Sequence, residues 1–390
     1  MVAYNLDGIT YSNFTNIPGA VYTRIGVEYQ QNAAGVLVPF DNDVPPISDG
    51  VGLGVWEART NLLLQSQTFD NASWIKSFST VTANQAVAPD GTMTADLVSN
   101  TPGSSSYIAQ TSPTLLNSTT YVRTIYVSLA PGNTAPTFVS TVSKGAGGEA
   151  STYFNLSTLA ITGTDASTSS IVPVGGGFYR IIHTFTTDAS GTPLCGVFYL
   201  GAYGPTPGAA NFYVWGAQLE LGSTATPYIP TTSAAATRGA PTAYLNAPGL
   251  LVPPFTVQVW AQLPALDGVT RRLLDIDDGS SNNRVAILRS NFNNVSIFEW
   301  ASGVFFTTDF TGKTGARLLK VAVRVRPTSY RAACDNALGL ELSTSAMQQM
   351  NRIVFGNTLI GADAYLNGDI TRFQIINRDV TDAELQALTL

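Results

Sequence analysis

Apolar and polar residues alternate along most of this chain with a period of two, the spacing of a β-strand that buries one face. From 255 to 263, Phe255, Val257, Val259, Ala261 and Leu263 fall on one side, and Thr256, Gln258, Trp260 and Gln262 on the other. Leu319, Val321, Val323 and Val325 alternate with Lys320, Arg324 and Arg326. Between 178 and 185, Tyr179, Ile181, His183 and Phe185 oppose Phe178, Arg180, Ile182 and Thr184. Between 211 and 220 the expected faces are Tyr213, Trp215, Ala217 and Leu219 against Phe212, Val214, Gly216 and Gln218. Leu62 and Leu64 are expected on one face of a strand, with Leu63 on the other. Such segments recur about every dozen residues, parted by Gly, Pro, Asn and Ser. The one helical signal is at the end, where Thr381 and Glu384 form a capping box. These patterns predict an all-β protein with a short C-terminal helix. The expected layout is a lead-in of hairpin and loop over 1–56, a sandwich over 57–230, a linker over 231–250 and a second sandwich over 251–390.

Composition narrows the class. Of 390 residues only 12% are charged, while 10% are aromatic. The charged share is about half the usual one. The aromatic content rules out a disordered chain, and the surface must be built of hydroxyls and amides. A net charge of −6, with Arg271-Arg272 as the densest basic pair, argues against nucleic acid as a partner. No apolar run reaches the length of a membrane span, so no membrane insertion is expected. Cys195 and Cys334 are read as reduced and structural. The start, MVAYNLDGITYSN, lacks the basic and apolar regions of a signal peptide, which predicts synthesis in the cytoplasm without a leader.

Catalytic chemistry is poorly supplied. His183 is the one histidine, it lies mid-strand, and no nucleophile elbow accompanies it. It is read as a packed core residue, and no catalytic residue is expected. Asp275, Asp277 and Asp278 form the densest carboxylate cluster, before a Gly-Ser-Ser-Asn-Asn turn. Such hard oxygen ligands would suit a structural Ca²⁺. A second carboxylate set pairs Asp70 or Glu57 with Glu220. Sugar binding needs aromatic faces for C–H groups and planar amides for hydroxyls. Trp260 flanked by Gln258 and Gln262 has that signature, as has Phe298 with Trp300. Trp74, Tyr107, Tyr126 and Tyr203 are further candidates, whereas Trp215 and Trp56 are expected in the core.

Separated motifs carry a resemblance. Glu57-Ala58-Arg59-Thr60-Asn61-Leu62-Leu63, then Phe69-Asp70-Asn71-Ala72 and Trp74, resemble the entry to a module of bacteriophage tail and head-fibre proteins. Gly177-Phe178-Tyr179-Arg180, Trp215-Gly216-Ala217-Gln218-Leu219-Glu220 and Tyr228-Ile229-Pro230-Thr231 are similar to the later strands and exit of that module. The C-terminal run Leu366-Asn367-Gly368-Asp369-Ile370, with Thr381-Asp382-Ala383-Glu384-Leu385, resembles a concanavalin-like, laminin-G-type domain. The resemblance implies two jelly-roll β-sandwiches in tandem, the first like a carbohydrate-binding module. It implies an adhesin, a head spike or tail fibre on a phage or a gene transfer agent particle. Its expected partners are host cell-surface polysaccharide, further copies of itself, and other virion proteins docked through the N-terminal segment. The rival readings are a structural decoration protein, which binds no glycan, and a capsule depolymerase, which shortens the polymer.

Overall fold

The computed structural model describes residues 3–390 except 7, 12–13, 49–50, 111–112, 201–207, 265–267, 292–293, 314, 316 and 360–364, and except the side chains of 196, 197 and 199. The chain divides into two units, and both are built of β-sheets. One unit takes 1–25, 40–58 and 239–390, and the other takes 26–39 and 59–238. This corrects two expected boundaries. Residues 1–56 do not form a unit of their own, because their strands are shared out between the two units. Nor is 231–250 a linker: Ala236–Arg238 pairs with Arg59–Asn61, and Thr242–Leu251 is a sheet strand.

The unit centred on 59–238 packs two six-stranded antiparallel sheets. Strand Asn211–Leu221 lies inside one of them, between Ala95–Asn100 and Thr120–Leu129. Strand Thr137–Gly145 lies inside the other. Ile181 and Phe185 point into the core between the sheets, as their alternation predicts. The alternation of Asn211–Leu221 breaks at Trp215-Gly216. Phe212 and Val214 share the core with Ala217 and Leu219, so the face inverts across one extra residue. Gly216 adopts φ +61, and a Cβ there would stand 2.9 Å from the Tyr126 ring. The pairing register shifts at the same place, the signature of a β-bulge. Trp215 therefore leaves the main core for a second one with Tyr126 and Tyr228. The hairpin of Glu28–Gln31 and Leu37–Phe40 places Tyr29 5.8 Å from Trp215.

The strand expected through Leu62–Leu64 stops at Asn61. The fully buried Asn61 amide explains the stop. Its Nδ2 donates to Ala217 O (3.0 Å) and Ile229 O (2.8 Å), while Oδ1 accepts from Leu63 N and Leu219 N. A side chain that satisfies four backbone groups replaces the ladder at this point.

The other unit packs a ten-stranded sheet on a seven-stranded one. Phe255, Val257, Val259, Ala261 and Leu263 face the core opposite Leu319, Val321, Val323 and Val325, as predicted. The first residues of the chain complete this unit. Ala3–Leu6 pairs in parallel with Gly368–Ile376, and Gly52–Val55 pairs with the same strand antiparallel. Ala20–Thr23 forms one edge of the seven-stranded sheet. Tyr4, Phe14, Leu53 and Val55 are fully buried. Full burial of a large apolar side chain contributes about 1.5–3 kcal/mol. The segment is thus core material. Helix Asp382–Ala387 has the predicted capping box, and Leu385 packs with Val380 on Ala322 and Ala333.

Candidate functional site

The outward face of the seven-stranded sheet carries three cross-strand rows. Leu288, Ser296 and Asp309 form the first, and Ala286, Phe298 and Thr307 the second. Arg284, Trp300 and Phe305 form the third. Opposed side chains in adjacent strands stand about 5 Å apart, so each row is a continuous surface. Phe298, Trp300 and Phe305 make one aromatic cluster, with centroids 6.0 Å, 5.4 Å and 5.0 Å apart. Phe305 is 50% exposed, because Val304–Phe310 is the edge strand. Beside the cluster lies an open pocket of about 350 Å³. Phe298 and Phe305 wall it, with Asn291, Asn294, Thr307 and Asp309 among its polar residues. Ser296 Oγ donates to Asp309 Oδ1 at 2.5 Å and so orients that carboxylate.

The same rows continue into a charged half. Asp275 is opposite Ala286, and Asp277 is opposite Arg284. The structure corrects the Ca²⁺ expectation for both. Arg284 Nε donates to Asp275 Oδ1 at 2.6 Å, and Arg272 Nη1 stands 3.5 Å from Oδ2. Asp277 Oδ1 accepts from Arg352 Nε and Nη2 at 3.0 and 2.7 Å and from Gly279 N at 2.8 Å. Burial pushes the Asp277 carboxyl up, against the pull of those bonds. Asp278 turns away and closes the loop through Ser280 and Asn283. Burial works to raise it, but those hydrogen bonds outweigh burial and hold it below the ordinary carboxylate value. Arginines therefore occupy the positions a cation would take. Among the described residues no three His, Cys, Asp or Glu side chains gather as metal ligands. The carboxylates of the second set have local roles: both Glu220 oxygens accept from Thr226 and that side chain is fully buried, Glu57 accepts from Asn367, and Asp70 is exposed.

The other predicted sugar ligands have different fates. Gln258 is buried and donates from Nε2 to Leu388 O, and Trp260 Nε1 donates to the same carbonyl at 3.2 Å. Lys320 and Arg372, from the two flanking strands, stand 4.5 and 4.8 Å from the Trp260 ring. Two cations and the Leu388 carbonyl thus engage the half-buried Trp260 ring, while Gln262 is exposed. Trp74 is 1% exposed. It packs 4.7 Å from Phe69, its Nε1 donates to Gln65 O, and it is core. Tyr107 is half-buried in the strand Tyr107–Ala109. Tyr126 is buried against Trp215, as Trp215 itself is core, while Trp56 is only half-buried. Tyr203 lies outside the described residues.

His183 finds both a serine and a carboxylate. Its Nδ1 stands 2.7 Å from Ser140 Oγ and its Nε2 3.1 Å from Asp165 Oδ2. The arrangement is not that of a hydrolase, where Nε2 serves the hydroxyl and Nδ1–H the carboxylate. Ser140 is fully buried, and the buried Arg123 guanidinium donates to its hydroxyl. Burial lowers the His183 imidazole to about 4 despite the Asp165 bond, and lowers Arg123 to about 9. The network is a satisfied polar core, as the mid-strand position of His183 implied.

Sequence reasoning singled out Phe298 and Trp300 but missed Phe305, Asp309 and the two asparagines. Val304–Phe310 has its alternation blurred by Val304-Phe305-Phe306, and nothing local marks it as an edge. The pairing of Phe305 with Trp300 was the recoverable signal, since the turn at Ser302-Gly303 sets that register.

No protein-family model matches the chain, and no curated protein matches it in sequence. Three solved structures similar to parts of it share 10–17% identity with it. The sialidase carbohydrate-binding module CBM40 of Ruminococcus gnavus shares 17% identity over 36% of this chain and 84% of its own, with a TM-score of 0.32. That module is also known bound to sialyllactose. The NanB sialidase of Streptococcus pneumoniae shares 11% identity over 37% of this chain and 26% of its own (TM-score 0.31). The binding domain of Botulinum neurotoxin DC shares 10% over 38% and 40% (TM-score 0.32).

Proposed function

We propose that the protein binds carbohydrate without cleaving it, through the aromatic rows of the seven-stranded sheet. The supporting observation is the open pocket walled by Phe298 and Phe305 beside amides, hydroxyls and one oriented carboxylate. Aromatic faces take the C–H side of a pyranose, and the polar groups take its hydroxyls. Non-covalent action is supported by the carboxylates of this face. Asp275 and Asp277 are held by arginines and are fully buried, a poor setting for the acid and base of glycoside hydrolysis. The motifs within 57–74, 177–180, 215–231 and 366–385 that resemble phage fibre proteins support siting this activity on the surface of a phage or phage-like particle. There it would serve as an adhesin for host cell-surface polysaccharide. Copies on one particle would turn modest affinity into avidity.

The test uses the full chain, since residues 1–58 supply strands to both units. It is incubated with capsular polysaccharides of candidate hosts, and co-sedimentation and polymer size are followed together. Retention with unchanged polymer length supports the reading. Shortened polymer overturns the non-enzymatic part, and retention on none returns the protein to a structural role.

A further inference from the structure

We infer that the aromatic pocket takes neutral sugar units and turns away acidic ones such as uronic and sialic acids; this rests on reading the pocket as a glycan site. Its described lining contains one carboxylate, Asp309, and no lysine, arginine or histidine. An anionic sugar would bring its carboxylate toward Asp309 with no cation to receive it, and like charges at such separations repel. The arginines of the same face do not fill that need. Arg284 is committed to Asp275 at 2.6 Å, with its guanidinium 5.2 Å over Trp300. Arg272, opposite Leu288 on the pocket's own row, stands 3.5 Å from Asp275 Oδ2, and Arg352 is committed to Asp277 at 2.7 Å. Pulling any of the three toward a ligand would weaken the pairing of a fully buried carboxylate.

What the pocket does offer suits hydroxyls. A carboxylate accepts hydrogen bonds from two vicinal hydroxyls, and Ser296 already fixes its orientation. The amides of Asn291 and Asn294 can both donate and accept, which matches a hydroxyl or an N-acetyl group. The overall charge of −6 adds a weaker, longer-range bias against acidic polymers.

The experiment compares the full chain on hyaluronan and polygalacturonate, on the carboxyl-reduced forms of both, and on neutral galactan, mannan and glucan. Each is run at low and at physiological ionic strength. Carboxyl reduction removes the charge and keeps the backbone, so each acidic polymer has its own control. We expect retention on neutral or reduced polymers, and at least about tenfold weaker retention on the native acidic forms. Salt should narrow that gap, and so should Asp309→Asn. Phe305→Ala should weaken retention roughly 30-fold throughout. A native acidic polymer retained as well as its reduced form, and only weakly in Phe305→Ala, would overturn the ligand class while leaving the glycan site standing. Retention on no polymer, or retention indifferent to Phe305→Ala, would overturn the site and this inference together.

Discussion

The two sheets of the second unit carry the same kind of lane on their outward faces, and only one lane is open. In strand Phe255–Leu263 the lane is Gln258, Trp260 and Gln262, and in Val295–Ala301 it is Ser296, Phe298 and Trp300. By residue type the first is the better sugar platform. The chain's own C-terminus closes it: Leu385 and Val380 seat the helix on Ala322 and Ala333, and Leu388 O takes both Gln258 and Trp260. Nothing described returns over the second lane, whose edge strand adds Phe305 instead. A tryptophan flanked by amides is thus a site or a docking platform for the same chain, depending on which segment comes back.

The largest effect should come from unseating the helix. Leu385→Ala removes a fully buried side chain and should lower stability by about 2–4 kcal/mol, read by denaturant unfolding. Trp260 emission should shift to the red while polysaccharide retention persists. If retention fell with the helix, the two lanes would not be independent. Phe305→Ala should do the reverse. It should weaken glycan binding by about 2 kcal/mol, roughly 30-fold, as hot-spot aromatics do, and change stability little. Trp260→Ala should leave binding unchanged.

The space between the two sheets supplies a subtler probe. Glu299 is buried on the inner face, in the row of Val285 and Phe306, and burial raises its carboxyl from 4.5 to about 8. Between those values the folded unit holds a proton that the unfolded chain releases. Its stability is therefore greatest at acid pH and falls as pH rises from 4.5 to 8. Glu299→Gln should flatten that slope in pH-dependent thermal unfolding. The other unit should slope the opposite way. Neutral His183, lowered from 6.5 to about 4, binds no proton where the unfolded chain does, so stability drops as pH falls through that window. The smallest effect is Thr381→Ala, which removes a helix cap worth about 1 kcal/mol and should loosen the cover over Trp260 only slightly.

Legibility followed the range of the interaction. The inward face of Phe255–Leu263, the burial of His183 and the capping box at Thr381 were all readable, because each depends on neighbours two or three positions away. The inversion at Gly216 was hidden, since a bulge changes the phase of a strand without changing its composition. The Ca²⁺ reading of Asp275 and Asp277 failed because their partners, Arg284 and Arg352, lie on other strands. Trp74 was misread because Phe69 and Phe198 enclose it.

By itself the sequence determined that this is an all-β protein and which face of most strands is buried. It also fixed a net charge of −6 and a single histidine. Only the tertiary structure decided which outward face stays open and to which unit residues 1–58 belong. The physical reason is one of distance along the chain. Side-chain alternation is set by the backbone of a single strand. The partners that cover a face or complete a sheet are paired across hundreds of residues, as Tyr4 is with Phe373, and nothing in the local pattern specifies them.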